Sequence, residues 1–323
     1  MNFSSRLLPC GTNCIFREEG YFVWGASMFR HGESLYMVYS RWEKSKGFDA
    51  WVTDSELCLA KGRDALGTFE HVKVIGPNRP NNAWYGSCMH NPTVISANGK
   101  HYLYFMGNRG DGDWWQHRNR QRIGVAWTDD PENEWHILPD PVIDVTPGAI
   151  DSRMVSNPTA VHFEDGKTLM VYKAVSDDGP EPAGGAVICG VAEAEDPLGP
   201  FKKYGKPIMV NPQNSWSVED PFIWRENGCL YALVKDFQGY FTGTGTCSTA
   251  LFESEDGYEW NPASHALAFG LAIPTKTGMQ PVKKLERPQI FFDEDGSAVL
   301  LCACMPKDET DTYNIRIPLR KAD

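Results

Sequence analysis

No run of apolar residues in this chain approaches the roughly 18 that a membrane-spanning helix needs. The stretch from Met1 to Gly20 has one early arginine and no sustained apolar core, so it does not read as a secretory leader. A cytoplasmic location is therefore expected of a complete chain, and a periplasmic or secreted one if a leader has been removed. Positive charge is scarce: 31 Lys and Arg stand against 42 Asp and Glu, a net charge of -11. A phosphate backbone is bound by a basic surface, so nucleic acid is not an expected partner. Patterns of helical period are nearly absent. No glycine fingerprint links a strand to a helix, and Gly239 to Gly245, though glycine-rich, joins two strands, so no dinucleotide is implied. The nine cysteines are scattered, and Cys302 and Cys304 have no second pair to complete a zinc site, so they read as core and no metal ligands are assigned.

What the chain does have is a repeat. His90-Asn91-Pro92, Ser156-Asn157-Pro158, Glu219-Asp220-Pro221 and Glu286-Arg287-Pro288 each open an alternating apolar run, and Trp24-Gly25-Ala26 is a degenerate first copy. Positions 26, 92, 158, 221 and 288 step by 66, 66, 63 and 67. Each copy continues into a turn with Gly at its end, as in Ala97-Asn98-Gly99 or Glu226-Asn227-Gly228, which is hairpin chemistry. A second strand follows (Leu35–Tyr39, Tyr102–Phe105, Leu169–Tyr172, Leu230–Val234, Val299–Cys302), then a third that stops at Asp64, Asp130, Asp196 or Asp256. An aromatic, Phe69, Trp135, Phe201 or Trp260, opens a fourth. Five four-stranded antiparallel meanders stack radially, so the fold class is all-β, a five-bladed β-propeller filling residues 1–323 as one catalytic domain. The fifth copy runs out after Thr312–Leu319, and the segment around Leu7–Phe16 is expected to supply its last strand.

In a propeller the first strand of every blade lines the central channel, so the five motif copies converge at one mouth. The residue ahead of each Asn, Asp or Arg varies among His90, Ser156, Glu219 and Glu286, which turn chemistry alone does not explain. A carboxylate in an enclosed channel is costly unless paired or working, which singles out Glu219 and Glu286.

With the segment Val218-Glu219-Asp220-Pro221-Phe222-Ile223 and its fellow blade starts, the whole chain resembles the five-bladed propeller glycoside hydrolases around families 43, 32 and 117. The resemblance implies a glycosidase that uses carboxylate acid/base chemistry on a poly- or oligosaccharide, exo-acting and inverting. It makes Glu219 the general acid. Two departures follow: Gly25 stands where family 43 carries its general base, and Asn157 where it carries an acid-tuning Asp. Asp49 or Asp151 is the candidate for a substitute base, and Glu286 is a further catalytic candidate. Trp24, Arg41, Trp42, His90, Asn91, Arg109, Asn157, Lys173, Asp220, Lys235, Asp236 and Arg287 fall at channel-facing or loop positions suited to binding substrate, with Trp114, Trp115 and Arg118 nearby. So many cations in an acidic protein point to an anionic sugar or co-substrate. A glycoside phosphorylase and a non-catalytic sugar-binding propeller are the alternatives. No cofactor is required, although the group admits a calcium ion in the channel. The expected partner is carbohydrate, with no membrane and no obligate protein partner.

Overall fold

The computed structural model describes residues 1–308 and 310–321. Five antiparallel sheets form a ring of blades, each a meander numbered from the channel outward. Blade one runs Tyr21–His31, Ser34–Glu43, Glu56–Gly62 and Phe69–Ile75, and blade two Cys88–Ala97, Lys100–Asn108, Arg122–Thr128 and His136–Ile137. Blade three is Met154–His162, Thr168–Val175, Ile188–Ala194 and Lys202–Lys203, and blade four Val218–Glu226, Cys229–Asp236, Ser248–Ser254 and Asn261–Phe269. Blade five runs Gly278–Phe292, Ala298–Pro306 and Tyr313–Leu319, with a short strand Ala272–Thr275 hairpinned onto the long first one.

The ring is closed by the N-terminal segment. Ile15 and Phe16 pair with Ile315 and Asn314 as the outermost strand of blade five, and Leu7 bridges Leu319. Closure removes the open edge that would otherwise leave strand hydrogen bonds unmade.

The repeat also has a backbone signature. Every first strand is broken by a bulge at the same place, between Trp24 and Ala26, His90 and Thr93, Ser156 and Thr159, Glu219 and Phe222, Glu286 and Gln289. The bulged residues Gly25, Asn91, Asn157, Asp220 and Arg287 all have positive φ, between 41° and 55°. Gly, Asn and Asp enter that left-handed region at least cost, and the proline that follows four of them bars the right-handed α alternative. Arg287 has no such preference, so its backbone is held there by the fold around it. The bulge turns these residues into the channel, and the residue before each reaches the mouth.

Between blades, the sheet faces interdigitate in apolar clusters. Leu35, Met37, Tyr39, Cys58 and Ala60 pack with Phe291 and Leu301 across the blade one to blade five seam. Seven of the nine cysteines are buried, as core residues are. No helix among the described residues is long and apolar enough to cross a membrane. Helical structure is confined to short turns, among them α1 (Trp51–Asp54) and α2 (Trp114–Asn119), which sit on the loops after the second strands of blades one and two.

Candidate active site

The five bulged residues form a ring across the channel. Asn91 Nδ2 donates to Asn157 Oδ1 at 2.7 Å, and Asn157 Nδ2 donates to Asp220 Oδ1 at 2.6 Å. Arg287 completes it: Nη1 lies 3.6 Å from Asp220 Oδ1, and Nη2 donates to the Asn91 carbonyl at 3.4 Å. A Cβ added at Gly25 would meet Asn91 Oδ1 at 3.3 Å and Arg287 Cγ at 3.4 Å. The stem of Arg287 therefore takes the space of a blade-one side chain, at the position where the resemblance implies a base. These residues do not suit a calcium ion, which needs six to eight oxygen ligands. The ring offers one carboxylate and a guanidinium of the same sign as the ion, and the described residues hold no group of three or more His, Cys, Asp or Glu placed for a metal.

Above the ring opens a pocket of about 200 Å³. It has two unlike halves. Blades one and two give an arc of rings: Trp24, Trp42, Phe48, Trp51, Trp114 and Trp115, linked by centroid separations such as 5.6 Å for Trp24 and Phe48 and 6.1 Å for Trp51 and Trp114. His90 lies within this arc, 5.2 Å from the Trp51 ring, with Nδ1 2.8 Å from Ser55 Oγ. Burial, helped by Arg287, pushes its pKa down to about 3, so it is neutral at physiological pH.

Blades three to five give the charged half. Register explains its composition: Ser156 pairs with Lys173, and Glu219 with Lys235, so each first-strand residue at the mouth faces a second-strand partner. Lys173 Nζ is 2.7 Å from Glu219 Oε2, and Lys235 Nζ is 2.9 Å from both Glu219 Oε1 and Glu286 Oε1. Lys284 Nζ approaches Glu286 Oε1 at 3.3 Å. Burial alone would push the Glu219 carboxyl up, but the two lysines outweigh it and hold it well below the usual carboxylate range. Asp220 goes the other way. Its burial, with the Glu219 charge beside it, raises it to about 6 against the pull of Arg287. The neighbouring carboxyls are thus driven apart, a separation that functional sites exploit.

The structure gathers ten of the sixteen sequence-derived candidates at this pocket: Trp24, Trp42, His90, Asn91, Asn157, Lys173, Glu219, Asp220, Lys235 and Glu286. Arg287 lies in the ring beneath. The other five are elsewhere. Asp49 is exposed beside α1 and does not line the pocket. Asp151 is 1% exposed and held by Lys203 Nζ at 2.6 Å and Tyr172 Oη at 3.1 Å, away from the mouth. Neither candidate base lines this pocket. Arg41 is engaged with Glu18 and Glu56, Arg109 is exposed, and Asp236 accepts the backbone N–H groups of Tyr240, Phe241 and Thr242 to shape its loop. Six pocket residues were not singled out for the site from sequence: Phe48, Trp51, Gln121, Ser156, Trp216 and Lys284. Lys284 could have been found, because it precedes Glu286 by two along one strand and so shares its face.

No protein-family model matches the sequence, and no curated protein matches it. Solved structures do. BT0996, in an RGII complex, superposes with a TM-score of 0.74 at 15% identity, over 99% of this chain and 94% of that one. A thermostable family-43 glycoside hydrolase gives 0.66 at 14% identity, over 98% and 94%. Zg3597, a family 117 glycoside hydrolase from the marine bacterium Zobellia galactanivorans, gives 0.60 at 17%, over 97% and 88%. The chain has the five-bladed propeller of these glycoside hydrolases. At such identities the likeness carries the fold, and the chemistry has to be argued from the pocket.

Proposed function

We propose that this protein is a glycoside hydrolase that removes a terminal sugar, and that Glu219 and Glu286 carry the reaction. The observation that supports this most is the shared lysine. Both carboxylate oxygens lie 2.9 Å from Lys235 Nζ, so they are no more than twice that distance apart. Carboxyl groups about 5–5.5 Å apart suit a retaining double displacement, whereas inversion needs about 6.5–9.5 Å to admit a water between them. The spacing therefore favours retention over the inverting course that the resemblance implies. It also recasts Glu219. A carboxyl held ionised by two lysines is a poor resting proton donor and a good nucleophile.

In the first step the Glu219 carboxylate attacks the anomeric carbon as the glycosidic C–O bond breaks, and Glu286, in its protonated form with the proton on Oε2, the oxygen that neither Lys235 nor Lys284 contacts, passes that proton to the departing oxygen. In the second step Glu286 takes a proton from water, whose oxygen displaces Glu219 and frees the sugar. The tryptophan arc supplies flat apolar faces for the ring, and the polar half orients its hydroxyls. A volume of about 200 Å³ is small beside the roughly 300–1,000 Å³ of pockets for drug-sized ligands, which supports action on one chain-end unit. The charged half supports a substrate that carries negative charge.

The test is a screen of aryl glycosides and short oligosaccharides, with the anomer of the first-formed product read by NMR. Glu219→Gln and Glu286→Gln are each expected to lower kcat by about 10²–10⁴-fold. Wild-type rates in both variants would remove the pair from the mechanism, and an inverted first product would remove the double displacement.

A further inference from the structure

Four cations line the pocket: Arg118, Lys173, Lys235 and Lys284. Each lysine has a carboxylate partner within 3.3 Å. Arg118 has none among the described residues. Its Nη1 donates to Asn119 Oδ1 at 2.8 Å and to the Ala183 carbonyl at 2.7 Å, and no acceptor meets its Nε or Nη2. The residue is only 5% exposed. Burial, offset by Glu219 and helped by Arg153, pushes its guanidinium down to about 10, so it remains charged at neutral pH.

A buried guanidinium without a counter-charge is costly, and a ligand that brings the missing charge recovers that cost. A second spare donor stands beside it in sequence. Gln121, three residues on and 1% exposed, lines the same pocket, and its Nε2 makes no hydrogen bond. The guanidinium of Arg118 is held on its Nη1 side by the Ala183 carbonyl of the blade-three loop and lies over the Trp115 ring, whose centroid is 5.7 Å from the guanidinium carbon. The fork is thus positioned before any ligand arrives. The protein as a whole carries -11, and its distant field repels anions, so an excess of cations here acts locally.

We infer that Arg118, with Gln121 beside it, binds an oxyanion substituent on the sugar, a carboxylate or a sulfate ester, and so makes the pocket selective for acidic saccharides. This rests on the reading of the pocket as a sugar site but not on catalysis. The guanidinium fork meets two oxygens of such a group at once, a match that a neutral hydroxymethyl lacks.

The experiment is isothermal titration at pH 7 with glucuronic acid, galacturonic acid, glucose 6-sulfate, glucose, galactose and inorganic phosphate, using wild type, Arg118→Met and Gln121→Leu. Circular dichroism of both variants first establishes that they fold. The acidic sugars are expected to bind at least about tenfold more tightly than glucose or galactose. Arg118→Met is expected to erase that difference, and Gln121→Leu to reduce it. Whether the uronic acids or the sulfate respond tells which substituent is taken. Equal binding of acidic and neutral sugars overturns the inference, as does a difference that survives Arg118→Met. Inorganic phosphate bound through Arg118, with acidic sugars no better than neutral ones, also overturns it and assigns the donors to a free co-substrate. Acidic sugars bound through Arg118, with no glycoside cleaved, would uphold the inference and remove the hydrolase reading instead.

Discussion

Glu219 and Glu286 come from neighbouring blades and share a single ammonium, with Lys235 Nζ 2.9 Å from one oxygen of each. Lys235 lies in the buried part of the pocket, yet the two carboxylates overcome the burial that would lower its pKa and raise it well above the usual lysine range. The ammonium is what lets the Glu219 carboxylate stay this close to a second carboxyl group. Lys235→Met leaves them facing each other, which favours a shared proton. The acidic limb of the kcat/KM profile is then expected to move up by about one unit or more, with activity at pH 7 reduced. A limb in its wild-type position would show that Lys235 does not set the charge of the pair.

Glu219 also ties stability to pH. Its pKa in the folded protein lies below the ordinary value of 4.5, so folding releases protons at acid pH. The stabilisation from this carboxylate is complete above 4.5 and is lost as pH falls below it towards the folded value. Glu219→Gln removes that contribution and leaves Lys173 and Lys235 short of a partner. The variant is expected to melt below wild type at pH 7, with the gap closing as the pH falls from 4.5. Melting temperatures at pH 7, 5, 4 and 3 check this, and a gap that stays constant or widens on acidification contradicts it.

Gly25 is needed twice over. Its φ of 41° disfavours any side chain, and a Cβ there would press on Asn91 Oδ1 at 3.3 Å and Arg287 Cγ at 3.4 Å. Gly25→Ala is expected to cost about 1–3 kcal/mol, from left-handed strain plus displacement of the Arg287 stem. In the double variant Gly25→Ala/Arg287→Ala the contact with Arg287 Cγ is relieved, while the contact with Asn91 Oδ1 and the strain stay. Arg287→Ala should therefore cost less when Gly25→Ala is already present than it does in wild type. Denaturant titration of the four proteins measures this, and strictly additive losses would mean that the two residues do not compete for one space.

The fold was legible because it is written five times. Asn-Gly and Asp-Gly turns, the Asn/Asp-Pro starts and the closing aromatics recur in phase, and each copy corrects the ambiguity of the others. The same phase reached the site through the strands. Glu219, Glu286, Lys173 and Lys235 sit on strands, where the period of two fixes the direction of each side chain. Loop residues carry no such constraint. Asp49, Asp151, Asp236 and Arg109 have the right charge and the right neighbourhood in sequence, yet their side chains go to solvent, to Lys203 or to their own backbone. Trp216 lies on the segment entering blade four and was missed for the same reason. The ionisation of Glu219 was out of reach as well, because Lys173 comes from another blade.

The N-terminal segment offers a test of how the ring holds together. Beyond the pairing of Ile15 and Phe16 with the last strand, Phe3 is fully buried against Trp224, and Arg6 Nη1 lies 3.0 Å from Glu226 on blade four. Arg316, on the last strand and 1% exposed, donates to the carbonyls of Asn13 at 2.8 Å and Cys14 at 3.3 Å. Removing residues 1–16 would expose the edge of blade five and leave a buried guanidinium short of two acceptors, each worth about 1–3 kcal/mol when left unmade. The truncated chain is expected to lose several kcal/mol and to unfold less cooperatively in denaturant. A synthetic peptide of residues 1–20, added in excess, should restore part of the midpoint by refilling the missing edge. A truncated protein with the wild-type midpoint would mean that the blades hold the ring without this closure.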